Sequence, residues 1–302
     1  MLKPMTRSSS HVRTGVLDIT IERWGSATGW PVVLLHGFPY DVRAFDTVAP
    51  ALAEAGADVV VPYLRGYGGT RFLDERTLRS GQQAALGHDL LDLIEALSLD
   101  RPIVAGYDWG GRAACVVSAL WPERVRGLVT VNGYNVQHIA LAGQPKLPEQ
   151  ERPLWYQYYL HGERGRAGLS RHRAEFARQL WREWSPAWAF TDEEFAATAA
   201  SFDNPDFVAV VVHSYRHRYG LVEGDSTYQH SENRLSEQPP IIVPTVVLEG
   251  TQDTVTPPLT RSDHDAHFPN LIDHRLVAAG HNVPQEMPSD FTHAITDLAG
   301  HS

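Results

Sequence analysis

Short, continuous apolar runs recur through the first 132 residues, each separated from the next by a stretch of helical period. Pro31-Val32-Val33-Leu34-Leu35, Ala57-Asp58-Val59-Val60-Val61-Pro62, Pro102-Ile103-Val104-Ala105-Gly106 and Val125 to Asn132 are four such runs. A strand that is apolar at nearly every position, rather than at every second one, is covered on both faces. Helical stretches near Ala44 to Ala55, Gln82 to Leu97 and Arg112 to Trp121 lie between the runs. The alternation predicts an α/β fold, a mostly parallel sheet flanked by helices. Val16 to Arg23 alternates apolar and polar residues and is expected to be a half-buried strand.

The rhythm breaks after Asn132. Residues 136–240 hold no comparable apolar run and are rich in aromatic, Arg and helix-forming residues, which predicts an inserted helical cap. The strand signature returns at Ile241 to Leu248 and more weakly at Ile272 to Val277, and the chain closes on a helix near Ser289 to Leu298. The expected organisation is a core of residues 1–135 and 241–302 carrying a cap of residues 136–240, with Pro239-Pro240 marking the return to the sheet. No internal repeat or low-complexity tract is present.

Composition narrows the function classes. With 302 residues, 43% hydrophobic, the chain can bury one large core or a core with an insertion. Its formal net charge of -10 and lack of any basic run argue against nucleic acid and anionic membranes as partners. No run approaches the roughly 18 apolar residues of a membrane span, and Met1 to Ser10 is too polar for a signal peptide, so a cytoplasmic location is expected. The single cysteine, Cys115, rules out an intrachain disulfide and a cysteine-clustered metal site, and it reads as a buried structural thiol. Among fifteen histidines, His213 and His217 stand four apart, as two imidazoles on one helix face would, but no acidic third ligand follows at a familiar spacing, so no metal is expected. No organic cofactor is expected either, and the partner is a small-molecule substrate; oligomeric state is not encoded legibly.

The chemistry centres on Gly106-Tyr107-Asp108-Trp109-Gly110, which follows a buried run and precedes a helix. The form is that of a nucleophile elbow, with Asp at the position that more often holds Ser. Flanking glycines relieve crowding in a sharp strand-to-helix turn, and the helix N-terminus behind it supplies free N–H groups. Taken alone, Asp108 could equally be a helix cap. Two further elements follow in the order an elbow requires: Asp253, just past the run ending at Leu248, and His281 in Gly280-His281-Asn282 before the last helix. His36-Gly37-Phe38-Pro39 closes the first buried run, where an oxyanion-hole N–H is found. Pro39 has no N–H, so Phe38 is the candidate donor, with Trp109 supplying the second; His36 is expected to fix the loop.

An aspartate nucleophile changes the substrate class. A carboxylate is already ionised near neutral pH and can attack sp³ carbon directly, given a strained ring or a good leaving group. Epoxide C–O and carbon–halogen bonds qualify. The product is an alkyl ester of Asp108, which water activated by His281 would hydrolyse while Asp253 orients the imidazole.

In His36-Gly37-Phe38-Pro39, Asp108-Trp109-Gly110-Gly111, the capped α/β sheet and the late Asp and His, residues 15–298 resemble the α/β-hydrolase-fold epoxide hydrolases. The resemblance implies two cap tyrosines that hydrogen-bond the epoxide oxygen and protonate it as the ring opens. Tyr156, before Gln157, and Tyr215, in His213-Ser214-Tyr215-Arg216, are the matching positions, whereas Tyr158 and Tyr159 are expected to pack the cap. Tyr40-Asp41 departs from the small acidic or polar pair that the resemblance leads one to expect after Pro39. Fluoroacetate dehalogenases carry carboxylate-binding arginines in the stretch after the nucleophile; Arg112 matches one, while Trp109 occupies the place of the other. Arg112, Trp109 and Trp155 are therefore the candidate substrate-binding residues. Haloalkane dehalogenases share the Asp-Trp-Gly elbow but often draw a second halide donor from the position of Phe38, which offers none, or from a cap tryptophan such as Trp155, Trp181, Trp184 or Trp188. Epoxide opening is the first reading and dehalogenation the second. A catalytically idle binding scaffold is the alternative from another class, disfavoured by an intact Asp108, Asp253 and His281.

Overall fold

The computed structural model describes residues 7–301. Met1 to Thr6, part of the polar N-terminal segment, lie outside the described residues. Nine strands form one sheet: β1 (Ser8–Arg13), β2 (Leu17–Gly25), β3 (Trp30–Leu35), β4 (Ala57–Pro62), β5 (Arg71–Phe72), β6 (Ile103–Gly106), β7 (Gly127–Val131), β8 (Thr245–Gly250) and β9 (Leu271–Val277). Their order is β1-β2-β4-β3-β6-β7-β8-β9, with β5 beside β2. From β4 to β9 every pairing is parallel; β2 is antiparallel to β1, β4 and β5.

The four apolar runs become β3, β4, β6 and β7. In β4, β6 and β7 every residue is buried, the state their continuous apolar character predicts. Each fully buried Val or Leu contributes about 1.5–3 kcal/mol relative to exposure, and these strands supply many of them. Helices α1 (Val48–Glu54), α2 (Gln83–Ala96) and α3 (Asp108–Leu120) lie between successive strands. The predicted helix over 44–55 is in fact a 3₁₀ turn, Val42–Phe45, followed by α1; Asp41 caps the turn by accepting the Arg43 N–H at 2.9 Å. The strand predicted from Ile241 begins only at Thr245, because Pro244 has no N–H and the Ile241 N–H goes instead to the His267 carbonyl. The exposed hairpin strand β1 and the two-residue β5 carry no apolar pattern that would announce them.

Between β7 and β8 the described chain forms helices and no strand: α4 (Pro148–Glu151), α5 (Trp155–His161), α6 (Glu163–Arg171), α7 (Arg173–Trp184), α8 (Asp192–Ala199), α9 (Phe207–His217) and α10 (Gln229–Ser236). Of these, α10 packs on α2 and α3. Glu232 of α10 receives the Ala84 N–H at the start of α2, and Arg234 donates to the Leu120 carbonyl at the end of α3. After β8 come α11 (Arg261–Asp265), β9, α12 (Val283–Glu286) and α13 (Pro288–Ala299).

Sheet order and register decide where the site forms. The chain leaves β3 for β4 on one side and returns to β6 on the other, so a crevice opens at the C-terminal ends of β3 and β6. Leu35 pairs with Gly106, which sets the His36 loop beside the elbow. Val131 pairs with Leu248 and Gly250 with Val277, so the loops carrying Asn132, Asp253 and His281 emerge side by side.

Candidate active site

Asp108 sits in the left-handed region with φ of 49°, a conformation that costs an L-residue on the order of 1–2 kcal/mol. The turn closes this tightly only because its neighbours lack side chains. A Cβ on Gly110 would lie 2.0 Å from the Leu35 carbonyl oxygen, and one on Gly106 would lie 2.6 Å from the Gly110 carbonyl carbon. The elbow thus aims the carboxylate away from the sheet. Phe38 donates its N–H to Asp108 Oδ1 at 2.7 Å. Trp109 follows at the start of α3, where a backbone N–H has no partner four residues back. His36 fixes the Phe38 loop, its Nε2 accepting the Leu64 N–H at 3.1 Å and its Nδ1 lying 3.0 Å from the Gly37 carbonyl.

The other carboxylate is held rigidly. Asp253 Oδ1 accepts the N–H groups of Val255 and Thr256 at 2.8 and 2.9 Å, while Oδ2 receives Asn132 Nδ2 at 3.0 Å and His281 Nδ1 at 2.7 Å. A carboxylate only accepts, so Nδ1 carries the hydrogen and Nε2 is the atom that faces Asp108 Oδ2, 3.7 Å away. That distance makes an ion pair. Burial by itself would lower the His281 pKa, but the charges of Asp253 and Asp108 outweigh it and raise the imidazole to about 10. Asp108 shifts the opposite way. Burial opposes its ionisation, yet His281, Arg112 and the Phe38 N–H together bring it below the usual carboxylate range.

The insert covers this pair with aromatic side chains. Tyr156 and Tyr215 meet edge to face with ring centroids 5.4 Å apart; Tyr215 also lies 5.3 Å from Phe38 and 6.1 Å from Trp109. Both phenols are buried, which raises Tyr156 to about 12 and Tyr215 well above its ordinary value. Gln157 Nε2 donates to Tyr156 Oη at 2.8 Å, and Tyr215 Oη has no hydrogen-bond partner among the described residues. A chamber of about 610 Å³ opens between core and insert, lined by Asp108, His281, Tyr156, Arg112 and Arg218 among others.

Trp155 departs from expectation. It is 36% exposed, gives its indole N–H to Glu183 Oε2 at 2.8 Å and does not line the chamber. Its place one residue before Tyr156 turns it to another face of α5. The tryptophan that does reach the site is Trp184, whose ring lies 4.9 Å from that of His281 and whose indole N–H is buried without a partner among the described residues. Trp181 is engaged elsewhere, donating to the Pro39 carbonyl at 2.9 Å and stacking on Tyr40, so Tyr40 serves the joint between core and insert.

Several supporting residues carry little or no sequence signal. Asn132, at φ 62° beyond β7, reads from sequence only as the end of a strand, although Asn-Gly there is a turn signal. Ser185, just past α7, accepts the His281 N–H at 2.9 Å and donates to Glu286 Oε1 at 2.6 Å. Glu286 also accepts the N–H groups of Gly280 and Asn282, so one carboxylate braces the histidine loop from both sides. Nothing in the local sequence marks Ser185 or Arg218.

The candidate metal ligands behave differently from one another. His213 has both ring nitrogens occupied, by the Gly81 N–H and the Glu223 carbonyl. Glu249, His264 and His274 bring one ligand atom each within 4.8 Å of one another and have the donor set of a metal site, a grouping that sequence spacing did not reveal. Glu249 accepts there from Leu259 N–H and His274 Nε2. Cys115 is buried against Thr130 and Gly133.

A parallel sheet with an elbow at the end of β6, a late carboxylate after β8 and a histidine after β9 defines a hydrolase scaffold built around an acidic elbow residue. Residues 31–286 match the profile of the alpha/beta hydrolase fold family, and the chain belongs to that family. Among solved structures it is similar to a provisionally assigned epoxide hydrolase of Klebsiella pneumoniae, at 43% identity over 96% of this chain and 97% of that one, with a TM-score of 0.94. It is 34% identical to epoxide hydrolase B of Mycobacterium tuberculosis over 135 residues, 43% of this chain but only 36% of that relative's length. An AB hydrolase superfamily protein of Bacillus subtilis is 24% identical over 92% of this chain and 93% of its own length. The chain is thus an epoxide-hydrolase-like member of its family. No helix among the described residues is long and apolar enough to cross a membrane.

Proposed function

We propose that the protein hydrolyses epoxides to diols through an ester of Asp108. The observation that carries this reading is the position of Asp108 between two polar groups: Oδ1 is held by the Phe38 N–H while Oδ2 faces His281 Nε2 across 3.7 Å. Oδ2 attacks a ring carbon, the C–O bond breaks, and the departing oxygen takes a proton from Tyr156 or Tyr215, leaving a tyrosinate. Burial disfavours that tyrosinate, so proton transfer stays coupled to ring opening.

Esterification then changes the histidine. The imidazole was raised to about 10 by two carboxylates and so enters the reaction protonated; one of them is now a neutral ester, its pKa falls, its Nε2 proton passes to the tyrosinate, and the neutral ring becomes a base nearer neutral pH. Nε2 removes a proton from water, the hydroxide adds to the ester carbonyl, and the Phe38 and Trp109 N–H groups hold the oxyanion. Collapse breaks the bond between the carbonyl carbon and the alkyl oxygen. The diol leaves with the proton from His281, and the proton on the regenerated carboxyl passes to His281 Nε2, which restores the ion pair. The sum is epoxide plus water to diol, with the core of residues 1–135 and 241–302 supplying nucleophile and base and the cap of 136–240 supplying the acid.

One observation favours dehalogenation as a second reading. The indole N–H groups of Trp109 and Trp184 are both buried without partners among the described residues, as halide donors would be. A panel of epoxides, haloalkanes and halogenated acids separates the two. Diol release without halide release supports epoxide opening, whereas halide release with inert epoxides overturns it.

A further inference from the structure

Two guanidinium groups face the chamber that holds Asp108, and neither has an ion-pair partner among the described residues. Arg112 lies on α3 one turn beyond the nucleophile and is buried, with Nε and Nη1 lacking any hydrogen-bond partner there. Arg218 arrives from the insert just past α9, its Nε likewise unpartnered and its Nη2 reaching Ser214 Oγ only at 3.4 Å. Its guanidinium packs 4.2 Å from the Tyr215 ring centroid. Burial, followed by the charge of Arg218, brings Arg112 down to about 10.

The charge of Asp108 offsets part of that on Arg112, but none of the chamber's carboxylates hydrogen-bonds to either guanidinium. Asp108 faces His281 and Phe38; Glu151 accepts from the Lys146 N–H and the Tyr158 hydroxyl; Glu249 accepts from Leu259 and His274. A guanidinium withdrawn from water is costly without a counter-charge, and two that also repel each other are more so. A ligand anion would relieve both.

We infer that Arg112 and Arg218 together seat a carboxylate of the substrate, which makes the preferred substrates epoxy acids with the carboxylate close to the ring. The planar guanidinium fork matches a carboxylate, and the nearby Asp108 charge favours a monoanion over a phosphate dianion. Residues four apart on a helix have Cβ atoms about 5–6 Å apart, which sets the anion near the attacked carbon. The choice of ring rests on the epoxide reading above; the seat for the anion does not.

Oxirane-2-carboxylate and oxirane-2-carboxamide differ in charge and little in size. The wild type is expected to prefer the acid in kcat/KM by about 10²-fold or more, and Arg112→Met or Arg218→Gln to bring the ratio within about threefold of unity. Arg218 is half-buried at a helix end, so R218Q keeps the test valid if R112M fails to fold. A wild-type ratio near one, or a ratio unchanged in R218Q, overturns the seat. Calorimetric binding of cyclopropanecarboxylate and cyclopropanecarboxamide separates the two levels of inference, because neither can be opened. Preferential binding of the anion that R218Q abolishes, together with inert epoxides, sustains the seat and removes the epoxide reading. Equal binding of anion and amide removes the seat whatever the turnover.

Discussion

The α/β core and the helical insert both supply groups to one chamber, yet they hold them by different physical means. In the core, strand register and backbone N–H groups do the placing: Leu35 opposite Gly106, the Phe38 N–H on Asp108, and Val255 and Thr256 on Asp253. In the insert, the groups are side chains on helices, oriented by packing. Tyr156 and Tyr215 face each other across α5 and α9, and Trp184 rests against His281 from the end of α7. Backbone-built geometry demands particular residues at fixed offsets, whereas a packed helix tolerates many solutions.

The two regions should therefore fail differently when altered. Removing the proposed core nucleophile has the largest expected effect: Asp108→Asn is expected to lower multiple-turnover activity by about 10⁴-fold or more, because a neutral amide cannot attack sp³ carbon. The rate is measured on freshly prepared protein, with mass analysis to detect deamidation back to Asp. Retention of more than a few per cent of wild-type activity by the variant with its amide intact contradicts the assignment.

On the insert side, the proposed mechanism lets either phenol cover for the other. Tyr156→Phe and Tyr215→Phe each slow epoxide alkylation by an estimated ~10² or less, while the double variant loses considerably more. Single-turnover rates that are unchanged in the double variant would transfer the leaving-group role away from the tyrosines and towards the Trp109 and Trp184 indoles.

How well each region can be read from sequence follows the same division. The apolar runs announce β3, β4, β6 and β7, and the glycines around Asp108 announce an elbow, since the close approach of Gly110 to Leu35 admits no side chain. Asp253 and His281 follow from their place after strand signals. In the insert the tyrosines come from resemblance alone; of the cap tryptophans that the sequence offers, Trp155 turns outward to Glu183, because it and Tyr156 point about 100° apart on α5, while Trp184 lies against His281. Ser185 has no local signature, as its partners His281 and Glu286 lie in a distant part of the chain, and Arg218 carries none either.

The joint between the regions should show an intermediate effect. Ser185 of the insert bridges the His281 N–H and Glu286, so Ser185→Ala is expected to lower kcat about tenfold or less while leaving the alkylation rate near wild type. Equal slowing of alkylation and ester hydrolysis in rapid-quench measurements would mean that Ser185 supports the fold of the insert rather than the histidine loop. The smallest effect belongs to Trp155→Ala. With its indole bound to Glu183 on the surface, KM and kcat should change by less than about twofold, and a larger change in KM would bring this side of α5 back into substrate binding.

The claim that core backbone geometry divides the reaction between Asp108 and His281 is tested most directly by His281→Gln. Asp108 needs no base to attack, but water does, so the variant should still be alkylated and then stall. Mass spectrometry after incubation with an epoxide substrate should find one substrate mass added, located on the peptide that contains Asp108. An unmodified protein under conditions where the wild type turns over, or an adduct on any other residue, contradicts the mechanism.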